Sequence, residues 1–130
     1  MKTELLYLVL VTALTGLLWV PYILDRVVVW GLIPAVGYPT NPPPQSAWAE
    51  RLKKAHGNAV ENLVVFAALV LAAQDLDVGS DATAMAAIVY FWARVVHPIA
   101  YTFAIPWVRT LAFTAGFLAQ ATFAWQILAR

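Results

Sequence analysis

The chain is built of long apolar runs separated by short polar interruptions. Apolar residues dominate positions of about 5–29, 47–74, 82–103 and 107–128. Each run offers about 20 or more helical residues, the length needed to cross a hydrocarbon core of about 30 Å. Backbone amides inside a bilayer must find partners within the protein, so only helices or closed barrels span it. Four runs of this kind cannot close a barrel, and the pattern predicts an all-α integral membrane protein, a four-helix transmembrane bundle in each subunit. The first run carries Lys2, Glu4 and then Pro21 near its end, with no small-residue cleavage pattern, so it reads as a retained helix and not a leader. Trp30 to Ser46, with Gly31, Pro34 and Pro42-Pro43-Pro44, predicts an irregular connection lying on the protein or in the interface. Ser46 is a candidate cap for the second helix, and Ser80 or Asp81 for the third. Pro106 suits the first turn of the fourth.

The second run opens differently from the others. Arg51, Lys54, Asn58 and Glu61 are spaced three, four and three residues apart, which puts them on one helical face. With Asn62 they fall within about 100° of one another. Eleven apolar residues, Leu63 to Ala73, follow without a break. Charges this close to lipid persist only where they face protein or a wet cavity, and they mark a functional site. Lys53 points the other way and reads as a snorkelling end charge. Arg51 and Lys54 sit at the rim of the stripe, whereas Asn58 and Glu61 are its interior part. On the third run Tyr90, Arg94, His97 and Tyr101 are spaced four, three and four apart, again one face. Arg94 reads first as a buried partner for Glu61, with Arg51 and Arg94 as a structural polar network. Arg109, beside Thr110 at the start of the fourth run, is unfavourable to the helix dipole. It reads equally as an anchor of the positive-inside kind or as an anion contact.

Composition narrows the function. Hydrophobic residues make up 62% of the chain and charged ones 12%, against about 25% charged in a soluble domain. A net charge of +1 gives no basis for nucleic-acid binding. Two histidines and no cysteine supply no metal-ligand set and no protein thiol. Arg26, Arg51, Lys53, Lys54, Arg94 and Arg109 fall on one side of the membrane, and only Lys2 and Arg130 on the other. The bias predicts cytoplasmic loops between helices 1 and 2 and between helices 3 and 4, with both termini on the opposite side. On the loop side, cations outnumber carboxylates but both signs are present. That mixture suits a small zwitterionic ligand with excess negative charge, and a lipophilic reactant could arrive from the bilayer. No internal repeat or pair of broken helices favours a transporter.

Three sets of residues together resemble the MAPEG family, the membrane-associated proteins of eicosanoid and glutathione metabolism. The first is Glu50, Arg51, Lys54, Ala55, His56, Asn58, Glu61 and Asn62. The second is Arg94, His97, Ala100 and Tyr101, and the third is Pro106, Arg109 and Thr110. The match runs in order over nearly the whole chain and points to a bacterial-type member, a single MAPEG-like transmembrane domain over 1–130. The resemblance implies a homotrimer with glutathione bound between subunits near the cytoplasmic side. It puts Arg26, Lys54, Asn58, Glu61, His97, Tyr101 and Arg109 at cofactor-binding positions, with Arg109 and Thr110 catalytic. The expected partners are further copies of the chain, membrane lipids and a small lipophilic substrate. The implied activity is a glutathione-dependent transferase or peroxidase. The alternative is a non-catalytic membrane scaffold or lipid-binding protein. Two departures motivate that alternative: Gly57 stands where glutathione-using members often have arginine, and Phe113 where some have tyrosine.

Overall fold

The computed structural model describes residues 1–130. Six helices follow in order: α1 (Thr3–Leu17), α2 (Trp19–Trp30), α3 (Leu32–Val36), α4 (Ala47–Asp75), α5 (Asp81–Thr102) and α6 (Pro106–Leu128). Thr3–Trp30, taken through the α1–α2 junction, and α4, α5 and α6 are the four segments long and apolar enough to cross a membrane. The protein is an integral, multi-pass membrane protein. Both termini and the α4–α5 turn lie at one end of the bundle, called here the terminal end. There Lys2 meets Asp77 at 3.8 Å and Ser80 approaches Gln126 at 3.5 Å. The opposite, loop end holds α3 and the α5–α6 turn.

Two details differ from the sequence expectation. The first span is interrupted at Leu18, whose amide reaches back only to Thr15 at 3.4 Å. Pro21 is the cause, since its ring has no N–H for the Leu17 carbonyl and crowds it. The proline-rich connection, expected to be wholly irregular, contains the five-residue α3. Pro34 falls in its first turn, where the missing N–H would have no intrahelical partner. Gly31, at φ 84°, makes the corner between α2 and α3. By contrast α5 runs unbroken through Pro98.

The core forms where α1, α4, α5 and α6 meet, with Val11, Phe66, Val70, Tyr90 and Phe123 at its centre. Phe66 stacks on Tyr90 with centroids 3.8 Å apart and meets Phe123 edge-on at 5.7 Å. The most extensive contact is between α5 and α6. Its buried positions are mainly small, among them Ala86, Ala93, Ala112, Gly116 and Ala119. Lipid offers apolar groups no incentive to pair, so membrane helices associate through close packing of this kind.

Both turns between long helices close in the same way. Val78 and Asp77 donate to the carbonyls of Ala73 and Gln74, and Ile105 and Ala104 to those of Ala100 and Tyr101. This is the Schellman pattern, completed by Asp77 and Ala104 at φ 55° where glycine is usual. The second turn matters for function, because it fixes the start of α6, and so Arg109, against the end of α5.

Candidate functional site

The helix 2 stripe, on α4, straddles the boundary between a packed and an open face. Asn58 and Asn62 turn towards the bundle, while Lys54, Gly57 and Glu61 are exposed on the subunit surface. Arg94 is buried, at 2% exposure, and its partner is Asn58, not Glu61. Arg94 Nη2 donates to Asn58 Oδ1 at 2.9 Å, and no carboxylate pairs with it. The expected Arg94–Glu61 pair is therefore absent within the subunit. The wheel groups Glu61 with Asn58 to within about 60°, too coarse to resolve the seam that runs between them. The polar track continues upward: the Asn62 amide donates to the Asn58 carbonyl at 2.9 Å, and Gln120 on α6 donates to the Asn62 carbonyl at 3.1 Å.

The α5 face predicted from spacing is present. Tyr90, Arg94 and His97 are all buried, and Tyr101 half-buried, one turn apart along the helix. Three of their polar atoms have no partner in the subunit: the Tyr90 hydroxyl, Arg94 Nε and His97 Nδ1. An unsatisfied buried polar atom costs about 1–3 kcal/mol, and more where a charge is involved. Three of them on one face leave hydrogen-bonding capacity there that the subunit's own side chains do not use. His97 lies edge-on to Tyr101 at 5.8 Å, and the Arg109 guanidinium sits over the Tyr101 ring at 4.8 Å. Arg51 donates from Nε to the Thr102 carbonyl at 2.9 Å, one of the carbonyls left free at the end of α5. Arg51, Tyr101 and Arg109 then share a cavity of about 220 Å³ with Pro106, and no carboxylate lines it. Two guanidiniums beside a tyrosine in a cavity without a counter-charge have the chemistry to accept an anion.

Not every residue singled out in the sequence joins this group. Arg26 lies on α2 with its guanidinium 5.2 Å from the Trp30 ring. Lys54, Glu61 and Thr110 are exposed and make no side-chain contact to the cluster in the same subunit. Gly57 shares their open face: a Cβ there would meet nothing within 4 Å. Its missing side chain is not dictated by packing.

Three polar residues outside the predicted site proved structural. Asp25, buried in α2, accepts from the Ser46 amide at 3.1 Å and from the Gln45 side chain at 3.2 Å. It docks the loop by holding the amide at the start of α4, while the Ser46 hydroxyl, the expected cap, makes no capping bond. His56 accepts or donates at Nδ1 with the Tyr22 hydroxyl at 2.7 Å, tying α2 to α4. Glu4 is buried at the terminal end and accepts from Thr83 at 3.0 Å. An isolated carboxylate inside an apolar run was the signal available for Glu4 and Asp25, because such a group needs a tertiary partner.

A family model described as the MAPEG family matches residues 8–129. The chain belongs to the MAPEG family. No curated protein and no solved structure gives a significant match of its own. Membership brings the four-span subunit and the membrane setting together with the polar groups just described.

Proposed function

We propose that the chain is a glutathione-dependent membrane transferase or peroxidase acting on lipophilic electrophiles or hydroperoxides. Glutathione would bind between adjacent subunits of a homotrimer, near the cytoplasmic face. The observation that carries this reading is Glu61. It stands fourteen residues from either end of α4, exposed and without a cation. A carboxylate at that depth is costly against lipid, which supports a second copy of the chain covering it. Covering that face would bring a partner surface and a polar ligand against Lys54, Gly57 and Glu61, beside the orphaned Arg94 and His97.

The residues present fit glutathione in chemical kind. Its carboxylates call for guanidiniums and its ammonium for a carboxylate, and its peptide groups suit Asn58, His97 and Tyr101. Bound glutathione would supply a thiol nucleophile. Arg109 would hold a fixed positive charge near it, and a neighbouring cation lowers a thiol pKa from its ordinary value of about 8.5. Thr110 would donate a hydroxyl from the partner side of the interface, and Arg26 and Lys54 would act from the subunit margins. The closed packing of α5 on α6 keeps bulk water from the inner side.

The competing reading is a non-catalytic scaffold or lipid-binding protein whose polar face only cements an oligomer. Gly57 and Phe113, which withhold a cation and a phenol, favour it. One experiment separates the two. Purified protein is assayed for conjugation of glutathione to a generic aryl halide, alongside Arg109→Ala. The enzyme reading expects turnover in the wild type and a loss of about 100-fold in the variant. The scaffold reading expects no turnover and no glutathione binding at millimolar concentration. It also expects Glu61→Gln to dissociate the oligomer in detergent.

A further inference from the structure

The largest cavity in the molecule is not the polar one. A groove of about 590 Å³ runs between α1, α2, α4 and α5 at the loop end, lined by Leu14, Leu18, Trp48, Leu52, Ile99 and Phe103 among others. Pro21, just past the break at Leu18, and Pro98 on α5 both line it, and neither contributes an amide N–H. Its volume falls in the range of ligand-binding clefts. Ile99 and Phe103 stay 52% and 69% exposed, so the groove opens sideways, in the direction of the bilayer.

No charged group lines the groove itself, but Arg51 adjoins its wall through Thr102. Thr102 lines the groove, and Arg51 donates to the Thr102 carbonyl at 2.9 Å. Trp48 and Leu52, either side of Arg51 on α4, line it too. Arg51 therefore sits on the wall between the apolar groove and the cationic cavity it shares with Arg109. A guanidinium has five donors, and Arg51 uses one within the subunit, with no carboxylate near it.

We propose that the groove and Arg51 form a binding site for one anionic phospholipid of the surrounding bilayer. One acyl chain lies in the groove and the phosphate is held by Arg51. An acyl chain gains almost nothing by leaving lipid for an equally apolar groove. Selectivity must then come from the headgroup, and a single basic group facing an anionic lipid is worth a preference of about fivefold. The site shares Arg51 with the cationic cavity beside Arg109, but its test does not require glutathione to bind.

The test is native mass spectrometry of the full-length protein in detergent, titrated with dioleoyl phosphatidylglycerol or dioleoyl phosphatidylcholine. Phosphatidylglycerol should bind about fivefold more tightly. Arg51→Gln should bring the two lipids to parity, and Lys53→Gln, on the opposite face of α4, should leave the preference intact. Ile99→Trp, which fills the groove from its exposed rim, should abolish the tight binding with helix content unchanged. If Arg51→Gln does not fold, Ile99→Trp decides alone. Equal binding of the two lipids overturns the proposal, as does a preference that survives Arg51→Gln. Displacement by millimolar inorganic phosphate would mean a free-anion site and overturns it too. Loss of subunits on Ile99→Trp would show that a second copy fills the groove, and would overturn it as well.

Discussion

Two buried polar clusters in this protein look alike in sequence and differ in completeness. At the terminal end, Glu4 accepts from Thr83, while Thr83 and Ser80 exchange bonds of 2.8 and 3.2 Å in a capping box that starts α5. The one orphan near it is the neutral Gln74 amide. At the other cluster Arg94 has a single neutral partner, and its Nε, the Tyr90 hydroxyl and His97 Nδ1 have none. A bundle that gives a buried carboxylate a partner at one end has no physical obstacle to pairing an arginine further along. Under the proposed function, the difference separates polar residues that hold the fold from polar residues left to a ligand or a partner copy.

Substitutions can break that contrast. Glu4→Ala removes the acceptor of a charge-assisted bond and should lower unfolding stability by about 2 kcal/mol, as followed by thermal or denaturant melting in detergent. Glutathione affinity should not change, because Glu4 lies at the far end of the bundle. Arg94→Met should behave in the opposite manner. Replacing an incompletely paired buried charge by an apolar side chain of similar length is often neutral or stabilising. Stability should therefore stay within about 1 kcal/mol of wild type or rise, while glutathione affinity measured by calorimetry falls at least about tenfold. A large loss of stability with affinity retained would move Arg94 into the structural class. Gly57→Arg should give the smallest effect, about a fivefold gain in glutathione affinity from one added charge-assisted contact. Within the subunit nothing obstructs a side chain at Gly57, and replacing a helical glycine favours the fold.

The four spans were legible because membrane-crossing helices must be long and apolar, a signal carried by every residue in them. The α5 face was legible for a related reason: Tyr90, Arg94, His97 and Tyr101 repeat at one turn, and a single side of a central helix is buried as a unit. The direction of Glu61 was not legible. Its position on the wheel differs little from that of Asn58, and only the placement of α5 and α6 decides which of the two is enclosed. Glu4 and Asp25 were missed as structural anchors because their partners, Thr83 and Ser46, lie 79 and 21 residues away. The break at Leu18 was foreshadowed by Pro21 but lies three residues earlier, since a proline disrupts the carbonyl one turn before it, here that of Leu17.

The central claim is that the incomplete cluster, and not merely the fold around it, receives glutathione. The most direct measurement is the melting of purified wild-type and Arg94→Met protein with and without glutathione. A ligand at about 100 times its dissociation constant adds about 2.7 kcal/mol to the state that binds it. The account predicts a clear upward shift in the wild type and little or none in Arg94→Met at the same concentration. No shift in the wild type at millimolar glutathione, or an equal shift in both proteins, would contradict it.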